Sequence, residues 1–302
     1  MSPPTVTAIT PPRLASLPAE RQQLEYSSRS IVFAEDGDRL LRAWGPPEAP
    51  WVLSVEPKGS RWRVEAWGAD GPAARFAARA LFSLDHPVEE FYRLVRREPT
   101  LRGTDRRFRG LRIPRDAHVY EALIHAILGQ QLSVHAANTM KERLLESTGA
   151  FLEAGGVEVP RVPTPTEIRS LGVPGLRSTG LSGVKSRSLL ALAASTADGT
   201  LPSDGLASLP LETAVERLDR LPGVGRWTAE NALLRGVGRT DVFIAGDLGI
   251  RVALEEYRVL RRSAPEEKAR AWAERYYPGW GSYATLYLWR KLVADRAAAE
   301  SG

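Results

Sequence analysis

Hydrophobic and polar positions change rhythm along this chain of 302 residues. From Arg29 to about Gly68 the apolar runs are short: Ser30–Phe33, Leu40–Trp44, Trp51–Val55 and Trp62–Trp67. They are rich in β-branched and aromatic residues and are separated by Asp-Gly, Pro-Pro and Lys-Gly punctuation, which predicts a small antiparallel sheet. From Gly71 to Leu84 the apolar spacing becomes helical, and Val88–Arg97 continues in the same way. The remainder reads almost entirely as helix, with segments at Val119–Gly129, Val134–Ser147, Ser186–Thr196, Leu211–Asp219, Thr228–Arg235, Leu248–Val259, Pro265–Tyr276 and Tyr283–Ala299. Thr164-Pro165-Thr166-Glu167 is a helix start, with a Thr cap, Pro in the first turn and Glu closing a capping box. Gly149–Pro163, broken by Gly and Pro, is expected to be a loop. The expected organisation is an α+β chain: a loose leader over 1–27, an N-terminal antiparallel α/β domain over 28–100, and a helical domain over 101–302.

Composition changes this picture little, but it removes some chemistries. At 43% hydrophobic and 25% charged residues, the chain is ordinary globular protein. The apolar runs are too short for a membrane span, and Met1–Leu14 lacks the pattern of a signal peptide. With no cysteine in the sequence, disulfides, thiolate zinc sites and Cys-ligated iron–sulfur clusters are excluded. A cytoplasmic location is compatible with this. Net charge is +5, which permits nucleic-acid binding without requiring it. The arginines between Arg93 and Arg115 read first as a solvated basic face. The four histidines show no metal-ligand spacing.

Two stretches carry candidate chemistry. Leu221-Pro222-Gly223-Val224-Gly225-Arg226-Trp227-Thr228-Ala229 joins two helical patterns. Pro222 stops the first helix, and the glycines allow a tight turn with no side chain in the way. The first N–H groups of the next helix then face outward at its positive end, where they can hold a phosphate. By itself such a turn is also an ordinary joint between helices; the full string points to a DNA-binding hairpin. Downstream, the apolar run from Val242 to Ala245 ends in Gly246-Asp247, and a helix follows. Asp247 suits a helix cap. It lies twenty positions after Trp227.

Taken together, these stretches resemble the helix-hairpin-helix DNA glycosylase superfamily, and within it the AlkA-like family, 3-methyladenine DNA glycosylase II. The resemblance runs in order from about Arg115 to Trp289. It includes Ala126-Ile127-Leu128-Gly129-Gln130-Gln131-Leu132-Ser133, Val162-Pro163-Thr164-Pro165, the hairpin, Asp241–Asp247, and Pro278-Gly279-Trp280-Gly281-Ser282-Tyr283-Ala284. It implies a two-lobed all-α domain with a DNA cleft between the lobes. The expected enzyme is a monomer acting on double-stranded DNA that contains damaged bases. It would flip out an alkylated base and hydrolyse its N-glycosidic bond with no catalytic cofactor.

The resemblance also assigns residues. Asp247 is the catalytic carboxylate. Trp227 stands where bifunctional relatives carry a lysine nucleophile, so water is the expected nucleophile. Trp227 and Trp280 match aromatic positions of the base pocket; Asn231 and Leu248 replace two pocket tyrosines of the family. Gln131 takes the place of the side chain that fills the gap left by the flipped base, with Gln130, Leu132 and Ser133 beside it. Gly223, Val224, Gly225, Arg226 and Thr228 form the phosphate grip, and Lys185 is a candidate second phosphate contact. The carbonyls of Asp219, Leu221 and Val224 are expected to hold a monovalent cation, Na+ or K+. Two alternatives stand beside this reading: a glycosylase of the same fold for hypoxanthine, ethenoadenine or uracil, and a non-catalytic hairpin module that only binds DNA.

Overall fold

The computed structural model describes residues 3–12, 15 and 32–300. Five strands form one antiparallel sheet in the order β1-β5-β4-β3-β2: β1 Thr5–Ile9, β2 Phe33–Asp36, β3 Arg39–Trp44, β4 Trp51–Lys58 and β5 Arg61–Trp67. The first is a correction to the expected leader. Thr5–Ile9 is an edge strand, with Thr5 opposite Ala66 and Ile9 opposite Trp62. Most of the remaining leader, and Ser30 and Ile31 of the first expected strand, lie outside the described residues.

Side chains alternate across this sheet, as the two-residue period of a strand requires. Leu53, Val55 and Val64 face helix α1, Gly71–Leu81, and pack with its Ala74, Ala77, Ala78 and Leu81. Asp70 caps α1 by accepting a bond of 2.8 Å from Ala73 N. Leu41 and Val52 lie in a separate cluster with Ala154 and Val159. These last two belong to a hairpin that the sequence pattern missed. Instead of a loop, residues 149–163 contain strands β6, Phe151–Ala154, and β7, Val157–Pro160. Gly155 and Gly156, both at positive φ, make their two-residue turn, a geometry that matches the twist of a hairpin.

The second core is helical and forms one large cluster. It includes α2, Val88–Val95, whose Val88, Phe91, Tyr92 and Val95 are buried in it and not under the sheet. The boundary between the cores therefore falls before residue 100. The helices that follow are α3 Thr104–Arg107, α4 Val119–Gly129, α5 Val134–Thr148, α6 Pro165–Ser178, α7 Gly183–Ala197, α8 Leu211–Asp219, α9 Arg226–Ala232, α10 Leu248–Glu256, α11 Glu266–Tyr276 and α12 Gly281–Glu300. The expected capping box at Thr164 and Glu167 is present at α6. Helix α9 runs on into a π turn, Leu233–Val237.

Buried polar groups join the two cores. Arg42 of β3 and Glu121 of α4 form an ion pair with side chains 1% and 3% exposed. Arg42 also donates to Val32 O at 3.0 Å. Burial works against the Glu121 charge, yet Arg42, with His125, holds its carboxyl well below the usual carboxylate range. Asp116, Glu121 and His125 come together here, a meeting that sequence spacing did not suggest. The Arg42 guanidinium already supplies positive charge among them. The arginine run is mostly exposed, as expected, Arg93, Arg96, Arg97, Arg102, Arg106, Arg107 and Arg109 among it, with Arg112 the exception. Arg112 is fully buried, donating to Ser83 O at 3.0 Å and His86 O at 2.8 Å. Arg96 pairs with Asp105 at 2.7 Å, and Arg107 pairs with Asp295 on α12.

His86 Nδ1 lies 3.0 Å from the Tyr283 hydroxyl. Burial, with Arg115 and Arg112 nearby, lowers its pKa from 6.5 to about 4. Between these values the unfolded chain binds a proton that the folded chain does not. Stability should therefore fall as pH drops from about 6.5 towards 4. Thermal melts of wild type and His86→Gln across that range check this: the variant should lose part of the slope.

Candidate active site

A cleft of about 490 Å³ opens between α4, α5 and α9 on one side and α10 and α12 on the other. Its walls include Trp227, Asn231, Asp247, Leu248, Val252 and Trp289. The run Val242–Ala245 that leads to Asp247 is buried. It is tied to the start of α12: Val242 N donates to Ser282 Oγ at 3.1 Å and Ile244 N to Thr285 Oγ1 at 3.3 Å. Asp247 then caps α10, its Oδ1 accepting from Ile250 N at 3.1 Å.

Two indoles complete the setting. Trp227 Nε1 on α9 donates to Asp247 Oδ2 at 3.1 Å, and Trp289 Nε1 on α12 donates to Oδ1 at 2.8 Å. Each carboxylate oxygen thus faces one indole N–H, and the group stands at the positive end of α10. Gly249 permits this closeness. A Cβ there would lie 3.1 Å from Asp247 Oδ1 and 3.3 Å from the Trp289 ring. Trp289 is the residue that the sequence reading missed. It lies one helical turn after Thr285, on the helix that anchors the run, a relation visible only in the fold. Trp280, the residue expected in the pocket, belongs to the hydrophobic core. It is 8% exposed and packs against Phe91 and Tyr283. Leu248 is 68% exposed and forms part of the rim, whereas Asn231 is buried in the wall.

The hairpin and the Gln130–Ser133 loop lie beside the cleft and are locked to each other. Gln130 Nε2 donates to Gly223 O and to Thr228 Oγ1, both at 2.9 Å. Lys185 Nζ donates to Leu128 O at 2.9 Å and Gln130 O at 2.8 Å, at the negative end of α4. Partial burial lowers the Lys185 ammonium from its usual range. Gln131, exposed and at φ 56°, is the apex of the loop. Ser133 caps α5, and Leu132 lines the cleft.

Several expected DNA-facing side chains are therefore engaged inside the protein. Val224 and Thr228 are buried. The Arg226 guanidinium is held by Glu212, at 2.7 and 2.6 Å, and by Glu230 at 2.9 Å. Glu230 also takes Arg270 at 2.7 Å, and burial pushes its carboxyl up to about 7 against the pull of Arg270 and Arg226. Arg226 and Lys185 are accordingly braces of the frame. What remains outward is backbone at Gly223 and Gly225, together with Gln131 and Ser133. The two glycines differ. Gly223 is at φ 79°, and a Cβ there would sit 1.9 Å from Ser188 Oγ; at Gly225 a Cβ meets nothing within 4 Å.

The sequence profile of the HhH-GPD superfamily of base excision DNA repair proteins matches residues 124–278, which contain both the hairpin and Asp247. The chain belongs to this superfamily. Relatives of known name agree in kind. A DNA-3-methyladenine glycosylase of Bacillus subtilis is 29% identical over 215 residues, 70% of this chain and 69% of that protein. The probable bifunctional transcriptional activator/DNA repair enzyme AlkA of Mycobacterium tuberculosis is 34% identical over 71% of this chain. The match spans only 42% of that longer protein. The 3-methyladenine DNA glycosylase of Archaeoglobus fulgidus superposes with a TM-score of 0.82 at 25% identity, covering 95% of this chain and 98% of that one.

Two outcomes follow from the geometry. Trp289→Phe keeps most of the apolar bulk but removes an N–H from Asp247. Base release under single-turnover conditions should slow by roughly tenfold or more, with DNA affinity little changed. Gly223→Ala should lose about 1–3 kcal/mol of stability in denaturant titrations, because the conformation is left-handed and the space is taken. Gly225→Asp should fold normally yet bind damaged and undamaged duplex more weakly. An unchanged duplex affinity for Gly225→Asp would remove the hairpin from the DNA interface.

Proposed function

We propose that this chain is a monofunctional DNA glycosylase that removes alkylated bases of the 3-methyladenine and 7-methylguanine type, leaving an abasic site. The observation that carries this reading is the Asp247 carboxylate, held by two indole N–H groups at a helix start on the wall of a cleft with room for an extruded base. The superfamily match and the named relatives support the same reaction class.

Alkylation at N3 or N7 of a purine gives the base a positive charge, so it departs as a neutral molecule and needs no strong acid. As the C1′–N bond breaks, positive charge builds on the deoxyribose, and Asp247 stabilises it from the cleft wall. Water supplies the oxygen that bonds to C1′, and the Asp247 carboxylate orients that water and receives its proton. Trp227 offers its ring to the extruded cationic base through stacking and cation–π attraction. Among the described residues no lysine lines the cleft, which supports water as the nucleophile and argues against a Schiff base. Gln131, at the apex of its loop, fills the space in the duplex, and backbone N–H groups of the hairpin hold phosphate.

A monovalent cation fits the hairpin turn. Among the described residues, the Asp219 and Val224 carbonyls accept no backbone hydrogen bond across the turn, whereas Leu221 O accepts one from Val224 N at 3.0 Å. Bound there, the cation would add positive charge at the phosphate grip. We place the enzyme in the cytoplasm as a monomer on double-stranded DNA. No helix among the described residues is long and apolar enough to cross a membrane.

The test is base release from methylated duplex DNA by wild type and Asp247→Asn, with and without alkali. Wild type should release 3-methyladenine or 7-methylguanine, with strand breaks only after alkali. Asp247→Asn should bind the duplex and release at least a hundredfold less. Full turnover by Asp247→Asn would remove the catalytic role. Strand breaks without alkali would contradict the monofunctional reading.

A further inference from the structure

The polar wall of the cleft points to how it chooses among bases. Trp227, Asn231 and Arg235 fall at intervals of four residues along α9 and its π continuation, and all three line the cleft. Asn231 is 7% exposed. Its Nδ2 donates to Trp227 O at 2.9 Å. A carbonyl can only accept, so this bond fixes which end of the amide is which: the nitrogen is turned back to the helix and the oxygen is turned away from it. Among the described residues, no hydrogen bond ends on Asn231 Oδ1, and that atom is absent from the buried polar atoms that lack a partner. The cleft is the open space beside it. Besides the Asp247 carboxylate, the wall thus offers a base an amide-oxygen acceptor, one turn along from the indole that touches Asp247.

We propose that Asn231 determines specificity through this oxygen: the cleft selects damaged bases that present an N–H on their Watson–Crick edge. The proposal rests on the glycosylase reading and narrows its substrate class. 3-Methyladenine offers its amino group, and 7-methylguanine and hypoxanthine offer N1–H. 1,N6-Ethenoadenine offers none, because its extra ring occupies N1 and N6. A buried acceptor left without its donor loses the water it gave up on base entry, so discrimination against such a base is strong. Fixing the amide by Trp227 O adds to this, since Asn231 cannot flip to present its NH₂ without losing that bond.

The experiment compares single-turnover release of hypoxanthine and ethenoadenine from otherwise identical duplexes by wild type and Asn231→Leu. Leucine keeps similar bulk and removes the acceptor. The hypoxanthine-to-ethenoadenine rate ratio should fall tenfold or more in the variant. A general defect in folding or DNA binding slows both substrates together and leaves the ratio in place. The same pair of duplexes is titrated in the Asp247→Asn background, with and without Asn231→Leu, so that base preference is read as affinity without any turnover. If neither the rate ratio nor the affinity ratio moves, Asn231 does not set specificity. If the affinity ratio moves while no base is released from methylated or lesion-bearing DNA by wild type, the specificity assignment stands and the glycosylase reading falls. Should Asn231→Leu fail to fold, Asn231→Ala makes the same comparison.

Discussion

The meeting of two indole N–H groups on one carboxylate organises this molecule. Asp247 is supplied by a cap, Trp227 by α9 and Trp289 by α12, so three separate elements must converge on one group. A hydrogen bond works over a few tenths of an ångström, and that tolerance is passed back to the packing of each helix. The fold meets it through buried polar stitching. Ser282 and Thr285 hold the run before Asp247 from the same helix that presents Trp289. A shift of α12 along its axis would carry the carboxylate and its partner together, so their geometry survives small movements of the core.

The hairpin and the loop opposite it follow the same logic at the DNA face. Gln130 joins the two through Gly223 O and Thr228 Oγ1, and Lys185 closes the C-terminal end of α4 beneath the loop. Gln131 at φ 56° is a strained conformation for a residue with a side chain, and it is sustained by bonds on its neighbours. Pre-organisation of this kind is expected where a side chain must enter a duplex, since a floppy apex would lose entropy on every insertion. Arg226 and Lys185 carry charge to this face while their hydrogen bonds go to protein. In the proposed DNA complex, Arg226 and Lys185 would then act through their charge, and directed contacts would fall to exposed backbone.

What the sequence revealed, and what it hid, divides by the range of the interaction. The hairpin was legible because a turn is written in adjacent residues: Pro222 to stop a helix and Gly223 for a positive φ. Asp247 was legible because capping is local and the apolar run before it is continuous. The amphipathic helices showed their period for the same reason, and Val119–Gly129 and Leu211–Asp219 have the expected ends. The errors came from long-range pairing. Thr5–Ile9 gives little sign of being a strand until β5 lies beside it, and the hairpin at residues 151–160 looks like a loop until Leu41 and Val52 cover its apolar side. Trp280 and Trp289 are both tryptophans near the end of the chain. Trp280 stands just before α12 and packs into the core, whereas the turn of α12 brings Trp289 to the carboxylate. Arg112 read as surface because an arginine is seldom fully buried, and nothing in the sequence marks the carbonyls of Ser83 and His86 that receive it.

The junction between the two cores bears on how the cleft keeps its shape. Glu121 lies four residues before His125, on the helix that forms one wall, and its partner Arg42 comes from the sheet. Removing Arg42 would leave the buried Glu121 carboxylate without its guanidinium, whereas removing Glu121 would leave the Arg42 charge with only Asp116, at 3.9 Å; losing one partner of a buried pair is more costly than the pair itself is favourable. The pair therefore works mainly as a constraint: α4 can sit against the sheet in the one register that brings Glu121 to Arg42. The next turns of α4 carry His125, Ala126 and Gly129 to the cleft, where Gly129 lies beside the edge of the Trp227 ring. The N-terminal sheet, which contributes no residue to the cleft wall, thus helps fix the helix beside the Trp227 indole.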